Sequence, residues 1–251
     1  METHYSQKND SLLKSEKYLT KLSSLNQKIL LQTLKWHKLA RPKQITPKGD
    51  WNVWLILAGR GWGKTRTGAQ DIAFYGLTRP NSRIAIVAPT HRDGRDTCIE
   101  GVSGLLSCFD KELIENWNRS IGELTLKNGT IYRTFSAEQP DRLRGPQFHR
   151  AWCDELGAWK NDEAWDQLLF GLRLGENPQI VVTTTPKPTD IIKELVNSKD
   201  SLVTRGSTFE NKDNLAESAV KKLEQKYSGT RLGRQELYAE ILEDVEGALW
   251  H

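Results

Sequence analysis

The chain has 251 residues, 37% hydrophobic and 27% charged, which excludes a disordered chain and suits one large α/β domain or a core with a small appendage. No apolar run reaches the roughly 18 residues of a membrane span, and Met1-Glu2-Thr3-His4-Tyr5 opens no apolar signal segment. Net charge is +4 but uneven: residues 1–50 hold 10 Lys/Arg against 4 Asp/Glu, and the remaining 201 hold 26 against 28. That basic excess suits contact with nucleic acid phosphate or a solvated basic helix, and both readings stand.

Leu12, Leu13, Leu19, Leu22, Leu25, Ile29, Leu30 and Leu34 recur at helical spacing and predict one or two amphipathic helices over about 11–39. Arg41-Pro42-Lys43-Gln44 and Pro47-Lys48-Gly49-Asp50 make a loop. Val53–Leu57 reads as a buried strand, followed by a helix over about 64–78 and a second strand, Ile84–Pro89. A helix is expected from about Asp93 to Cys108. Gly122–Leu126 and Thr130–Thr134 flank Lys127-Asn128-Gly129, a hairpin signal. Ala151-Trp152-Cys153 is a short strand; residues 162–173 are helical, with Trp165, Leu168, Leu169 and Leu172 on one face. Gln179–Thr185 is a strand stopped by Pro186, Ile191–Val196 a helix, and Leu202-Val203-Thr204 a last strand. Helices at 215–227 and 230–242, parted by Gly229, complete the chain. Strands alternating with helices predict a mostly parallel sheet covered on both faces, with a small helical lid from about 209.

Ala58-Gly59-Arg60-Gly61-Trp62-Gly63-Lys64-Thr65 lies between a strand and a helix, the order of a phosphate-binding P-loop. Glycines let N–H groups turn inward, and the helix N-terminus adds unpaired donors. Lys64 would reach the β- and γ-phosphates and the Thr65 hydroxyl would take Mg²⁺. The pattern asks for Gly where this chain has Ala58. Arg60 either faces the phosphates or points to solvent. Trp62 is either exposed or covers the nucleotide.

Hydrolysis needs a carboxylate site as well. Asp154-Glu155 ends a strand downstream: Asp154 would support Mg²⁺ through water and Glu155 would act as general base. The preceding Ala151-Trp152-Cys153 is less aliphatic than such strands usually are. Thr183-Thr184-Thr185 ends a strand and either senses the γ-phosphate or is a buried β-branched stretch. Arg144 is a candidate arginine finger in trans or an ordinary loop arginine, and Gln44 a candidate adenine reader or a plain loop residue. Cys98, Cys108 and Cys153 lack metal-ligand spacing, and neither they nor His91 and His149 suggest a metal centre; reduced thiols in a cytosolic protein are expected.

Together these blocks resemble the ATPase half of large terminase subunits, the motors that pump DNA into the preformed heads of tailed phages and of phage-derived gene transfer particles. The likeness runs from about Leu39 to the end. It is carried by Trp54–Ala69, Leu143-Arg144-Gly145, Cys153–Trp159, Thr183–Pro186, Gln235–Leu242 and Gly247-Ala248-Leu249-Trp250, in that order. The resemblance implies a P-loop NTPase sheet of ASCE type with the catalytic Glu beside Walker B. It implies Arg60 as the P-loop arginine and Arg144 as the trans-acting finger. Thr183, Thr184 and Thr185 would couple hydrolysis to movement, and Gln44 would read adenine. Implied partners are double-stranded DNA, the portal protein, the small terminase subunit and further copies in a ring. The implied place is the host cytoplasm, transiently at the portal vertex. The division expected is 1–40 basic N-terminal segment, 41–208 ATPase core and 209–251 helical lid or linker. Family members carry a C-terminal RNase H-like nuclease domain; this sequence stops at Trp250-His251, about where that domain would begin, so no nuclease activity is assigned to it. The alternatives are an inactive or regulatory nucleotide-binding remnant, or a helicase-like nucleic-acid remodelling ATPase.

Overall fold

The computed structural model describes residues 23–242. Leu12, Leu13, Leu19, Leu22 and the Gly247–Trp250 block lie outside the described residues. The elements are α1 (Ser24–Leu39), β1 (Val53–Ala58), α2 (Lys64–Thr78), β2 (Arg83–Ala88), β3 (Ile114–Asn118), β4 (Glu123–Leu126), β5 (Ile131–Ser136), β6 (Arg150–Asp154), α3 (Glu163–Gly171), β7 (Gln179–Thr184), α4 (Asp190–Asn197), β8 (Ser201–Gly206), α5 (Glu217–Tyr227) and α6 (Arg231–Glu236). Short 3-10 and π turns connect them.

All strands join one sheet in the order β3-β4-β5-β2-β6-β7-β1-β8. The run from β5 to β8 is parallel, and β3 and β4 extend it antiparallel. Every residue of β1 and of β6 is buried, as expected of strands covered on both faces. Alternation along β1 splits the core in two. Trp54 and Ile56 join Trp152, Val181, Ile72 and Ala69 of α2 on one face. Leu55 and Leu57 join Cys153, Val182, Trp165 and Leu168 of α3 and Ile192 of α4 on the other. Removing the fully buried Trp54 side chain would cost about 3–5 kcal/mol.

β7 lies between β1 and β6, so one strand separates the glycine loop from Asp154. The register sets Thr183 beside both: Ile56 pairs with Thr183, and Asp154 pairs with Thr183. At the other end of β6 the buried Arg150 guanidinium takes both carboxylate oxygens of Asp71 on α2 at 2.8 Å.

The structure corrects three elements. The helix expected over 93–108 is broken. His91–Asp93 is α-helical, Gly94–Ile99 a π turn and Leu105–Cys108 a 3-10 turn. A Cβ on Gly101 would lie 2.6 Å from the Thr97 carbonyl oxygen, and one on Gly104 2.7 Å from that of Ile99, so the chain doubles back there. β3 was not foreseen; Ile-Glu-Asn-Trp-Asn has only two apolar residues and holds its place by pairing with β4. The helix expected over 230–242 ends at Glu236, because Leu237 and Ala239 turn inward and are buried. Ala239 adopts a left-handed φ of 59°.

Candidate nucleotide-binding site

The glycine loop joins the end of β1 to the start of α2. Gly61 and Gly63 have φ of 74° and 99°, values that favour glycine. A Cβ on Gly63 would also stand 2.9 Å from Gln44 Nε2. Ala58 is different: it is fully buried within β1 and packs in the core, so its position calls for no glycine.

The loop's two halves do different things. The first is pinned to the protein: Gly59 N–H donates to Gly206 O at 2.9 Å and Arg60 N–H to Glu236 O at 2.8 Å. The Thr208 hydroxyl donates to Arg60 O at 2.7 Å. In the second half, the N–H groups of Gly61, Gly63, Lys64 and Thr65 have no acceptor among the described residues; the first helical bond of α2 is Thr67 N–H to Gly63 O. Free N–H groups at a helix N-terminus form an anion site.

Lys64 is nearly buried. Its ammonium donates to the carbonyls of Ala58 (3.0 Å) and Gly59 (3.3 Å) and stands 3.8 Å from Glu155 Oε1. Burial lowers its pKa, opposed by the charges of Glu155, Asp154 and Glu236. The Thr65 hydroxyl has no partner among the described residues.

Asp154 ends β6 in a buried position, which pushes its carboxyl up to about 6, helped by the neighbouring Glu155 charge. It accepts a hydrogen bond from the Thr183 hydroxyl at 2.7 Å. Glu155 is left-handed, with φ 48° and ψ 47°. Its N–H donates to Thr183 O at 2.6 Å. Its Oε2 accepts from the Thr185 N–H at 3.1 Å and the Thr185 hydroxyl at 3.2 Å. This turn brings the carboxylate round to the Lys64 ammonium. The Thr184 hydroxyl accepts from Gly157 N–H at 3.0 Å and so braces the turn after Glu155. Magnesium fits these donors. They are hard oxygens, and no group of three or more His, Cys, Asp or Glu among the described residues makes a protein cage, which suits a cation shared with phosphates and water.

Gln44 is buried against α2. Its amide donates to Thr67 Oγ1 and accepts from Arg41 N–H, each at 3.1 Å, leaving one N–H and one lone pair of the amide. Trp62 does not cover the loop's open side with its ring. The indole is fully buried, packs on Gly206 and donates to Glu210 Oε2 at 3.2 Å. The Arg60 side chain is 77% exposed and pairs with Glu236 at 2.8 Å. Arg144 pairs with Asp141 and Glu163 and touches neither the loop nor the carboxylate pair. His149 Nδ1 accepts from Arg83 N–H at 3.0 Å.

Several contributors carry no sequence signal. Arg41 donates to Trp62 O and Asn211 Oδ1, with its guanidinium 5.0 Å from the Trp62 ring centroid. Asn211 in turn donates to Gly61 O at 2.7 Å. Clefts lined by Arg83, Arg133 and Phe148, and by His91, Arg142 and Pro146, contain none of these groups.

The family model "Terminase large subunit, T4likevirus-type, N-terminal" matches residues 55–251. A comparison with curated proteins gives no match. Among solved structures, the large terminase ATPase domain of Thermus phage P74-26 is similar, with a TM-score of 0.62 at 16% identity over 81% of this chain and 94% of that one. A large terminase from a thermophilic bacteriophage, solved with ADP, gives 0.62 at 15% identity over 86% of this chain and 53% of that one. The large terminase of bacteriophage HK97 gives 0.59 at 16% identity over 87% and 50%. At such identities the likeness is one of fold, and the chain spans about half the length of the latter two proteins.

Proposed function

Since the chain belongs to the T4likevirus-type large terminase subunit family, matching its N-terminal part, we propose that it is an ATP-hydrolysing motor domain that drives double-stranded DNA into a viral or phage-derived head. The observation that carries this reading is the approach of Glu155 to Lys64 at 3.8 Å, across the strand that separates their parent strands. A carboxylate held there serves hydrolysis rather than phosphate binding alone.

The free N–H groups of Gly61, Gly63, Lys64 and Thr65 cradle the phosphates of ATP. Lys64 leaves the Ala58 and Gly59 carbonyls and neutralises charge on the β- and γ-phosphates. Thr65 and, through water, Asp154 would hold Mg²⁺, which would supply neutralisation of phosphate charge. Glu155 orients a water for in-line attack on the γ-phosphorus and takes its proton. ADP and phosphate leave. Arg60 is the P-loop arginine, once released from Glu236, and Gln44 offers its remaining amide valences to adenine. Thr183, Thr184 and Thr185, bonded to both carboxylates and to the turn after them, relay phosphate loss. Arg144 comes from a neighbouring copy. Portal protein, small terminase subunit and a ring of copies at the portal vertex, in the host cytoplasm, complete the proposal; no nuclease activity is assigned to these residues.

The test is Glu155→Gln. Phosphate release should fall by about 10²–10⁴-fold while ADP affinity stays within a factor of about two. Wild-type turnover in that variant would overturn the hydrolytic reading, and absence of phosphate release by the wild-type protein, with DNA and without it, would leave a nucleotide-binding remnant.

A further inference from the structure

Trp152 is the residue that makes the strand before Asp154 unusual, and its surroundings give that oddity a use. It is fully buried in β6, on the face covered by α2. Its indole N–H donates to the Thr183 hydroxyl at 2.7 Å, and that hydroxyl donates to Asp154 Oδ1 at 2.7 Å. A threonine hydroxyl has a single proton. A second acceptor lies within its reach, the Cys153 carbonyl at 3.5 Å. With Trp152 N–H occupying one lone pair, the hydroxyl is held with its proton on Asp154, and the chain of two bonds is mutually strengthened.

The same N–H edge of the indole rests on α2. A Cβ on Gly68 would lie 2.3 Å from Trp152 Nε1, so only a glycine there admits the ring. Gly68 lies four residues after Lys64 and three after Thr65, on the same side of the helix. One side chain therefore touches the helix that carries Thr65 and fixes the orientation of Asp154 through one hydroxyl.

We propose that Trp152 is a positioning residue for the magnesium site: through Thr183 it sets the rotamer of Asp154 relative to the Thr65 hydroxyl. The inference rests on the nucleotide–Mg²⁺ reading above. Partners that orient a ligating group in this way typically change metal affinity about 10–100-fold when removed.

The experiment is calorimetric titration of ADP into the protein at a series of free Mg²⁺ concentrations and in EDTA. Trp152→Phe keeps a ring against Gly68 and removes the N–H; Thr183→Val keeps the shape and removes the hydroxyl. Each should raise the Mg²⁺ concentration needed for half of the affinity gain about tenfold, with ADP affinity in EDTA unchanged. The double variant should be no worse than either single one, since both break one chain. Thr183→Val keeps the test open should Trp152→Phe fold poorly. A wild-type Mg²⁺ dependence in either variant, or fully additive losses, overturns the positioning role while Asp154→Asn still loses the dependence. An unaltered dependence in Asp154→Asn overturns the magnesium assignment itself, and the positioning role with it.

Discussion

Glu155 holds a backbone conformation that costs a non-glycine residue about 1–3 kcal/mol. Three hydrogen bonds from and to Thr183 and Thr185 hold it there, and the turn is what aims the carboxylate at Lys64. Residues such as Lys64, Thr65, Asp154 and Glu155 are legible in sequence because their chemistry follows from neighbours a few positions away. Trp62 is not. Its loop position says nothing about which side the ring takes, and Gly206, far along the chain, decides it. A Cβ on Gly206 would lie 2.1 Å from Trp62 Nε1. Gly206→Ala is therefore expected to lower unfolding stability by about 1–3 kcal/mol and to weaken ADP binding, because the displaced ring carries the loop backbone with it. Urea unfolding and calorimetric ADP titration check both; unchanged stability would mean that the ring has room elsewhere.

At the scale of elements, the parallel strands were legible because each is a short apolar run bounded by turn residues, as in Val53–Ala58 and Gln179–Thr184. Where tertiary contact overrides local pattern, legibility fails: at β3, at the break after Ile99, and at Leu237, whose burial ends α6. Arg150 shows what binds elements at the far end of the sheet. Its guanidinium joins β6 to Asp71 of α2, donates to the Gln179 side-chain oxygen of β7, and stacks against Trp51 and Tyr75. Arg150→Met leaves the buried Asp71 carboxylate with the Thr46 hydroxyl alone. A loss of about 3–5 kcal/mol is expected. Urea denaturation measures it, and a loss below about 1 kcal/mol would show that the pair contributes little beyond packing.

At the scale of the whole molecule, Arg144 pairs only with Asp141 and Glu163 among the described residues and exposes 60% of its side chain, which is what the proposed finger in trans requires. A finger supplied by a neighbour is worth about 10³–10⁵ in turnover, so the isolated chain should hydrolyse ATP slowly. Arg144→Ala and Lys64→Ala variants, each inactive alone in an assembled ring, should restore phosphate release when mixed, because one donates a finger and the other an intact site. Failure to complement in an assembled ring would remove Arg144 from the mechanism. Its sequence position could only suggest this, since the arrangement of copies is written in surfaces rather than in one motif.

The floor of the glycine loop is tied to the chain just before it leaves the described structure. Arg60 bonds Glu236 twice, through its N–H and its guanidinium, and Thr208 N–H bonds the Leu237 carbonyl while its hydroxyl holds Arg60. Arg60 and Glu236 are 176 positions apart, yet only two residues separate Glu236 from the left-handed turn at Ala239. A shift of the main chain at Glu236 or Leu237 would therefore reach the first half of the glycine loop directly, through these bonds.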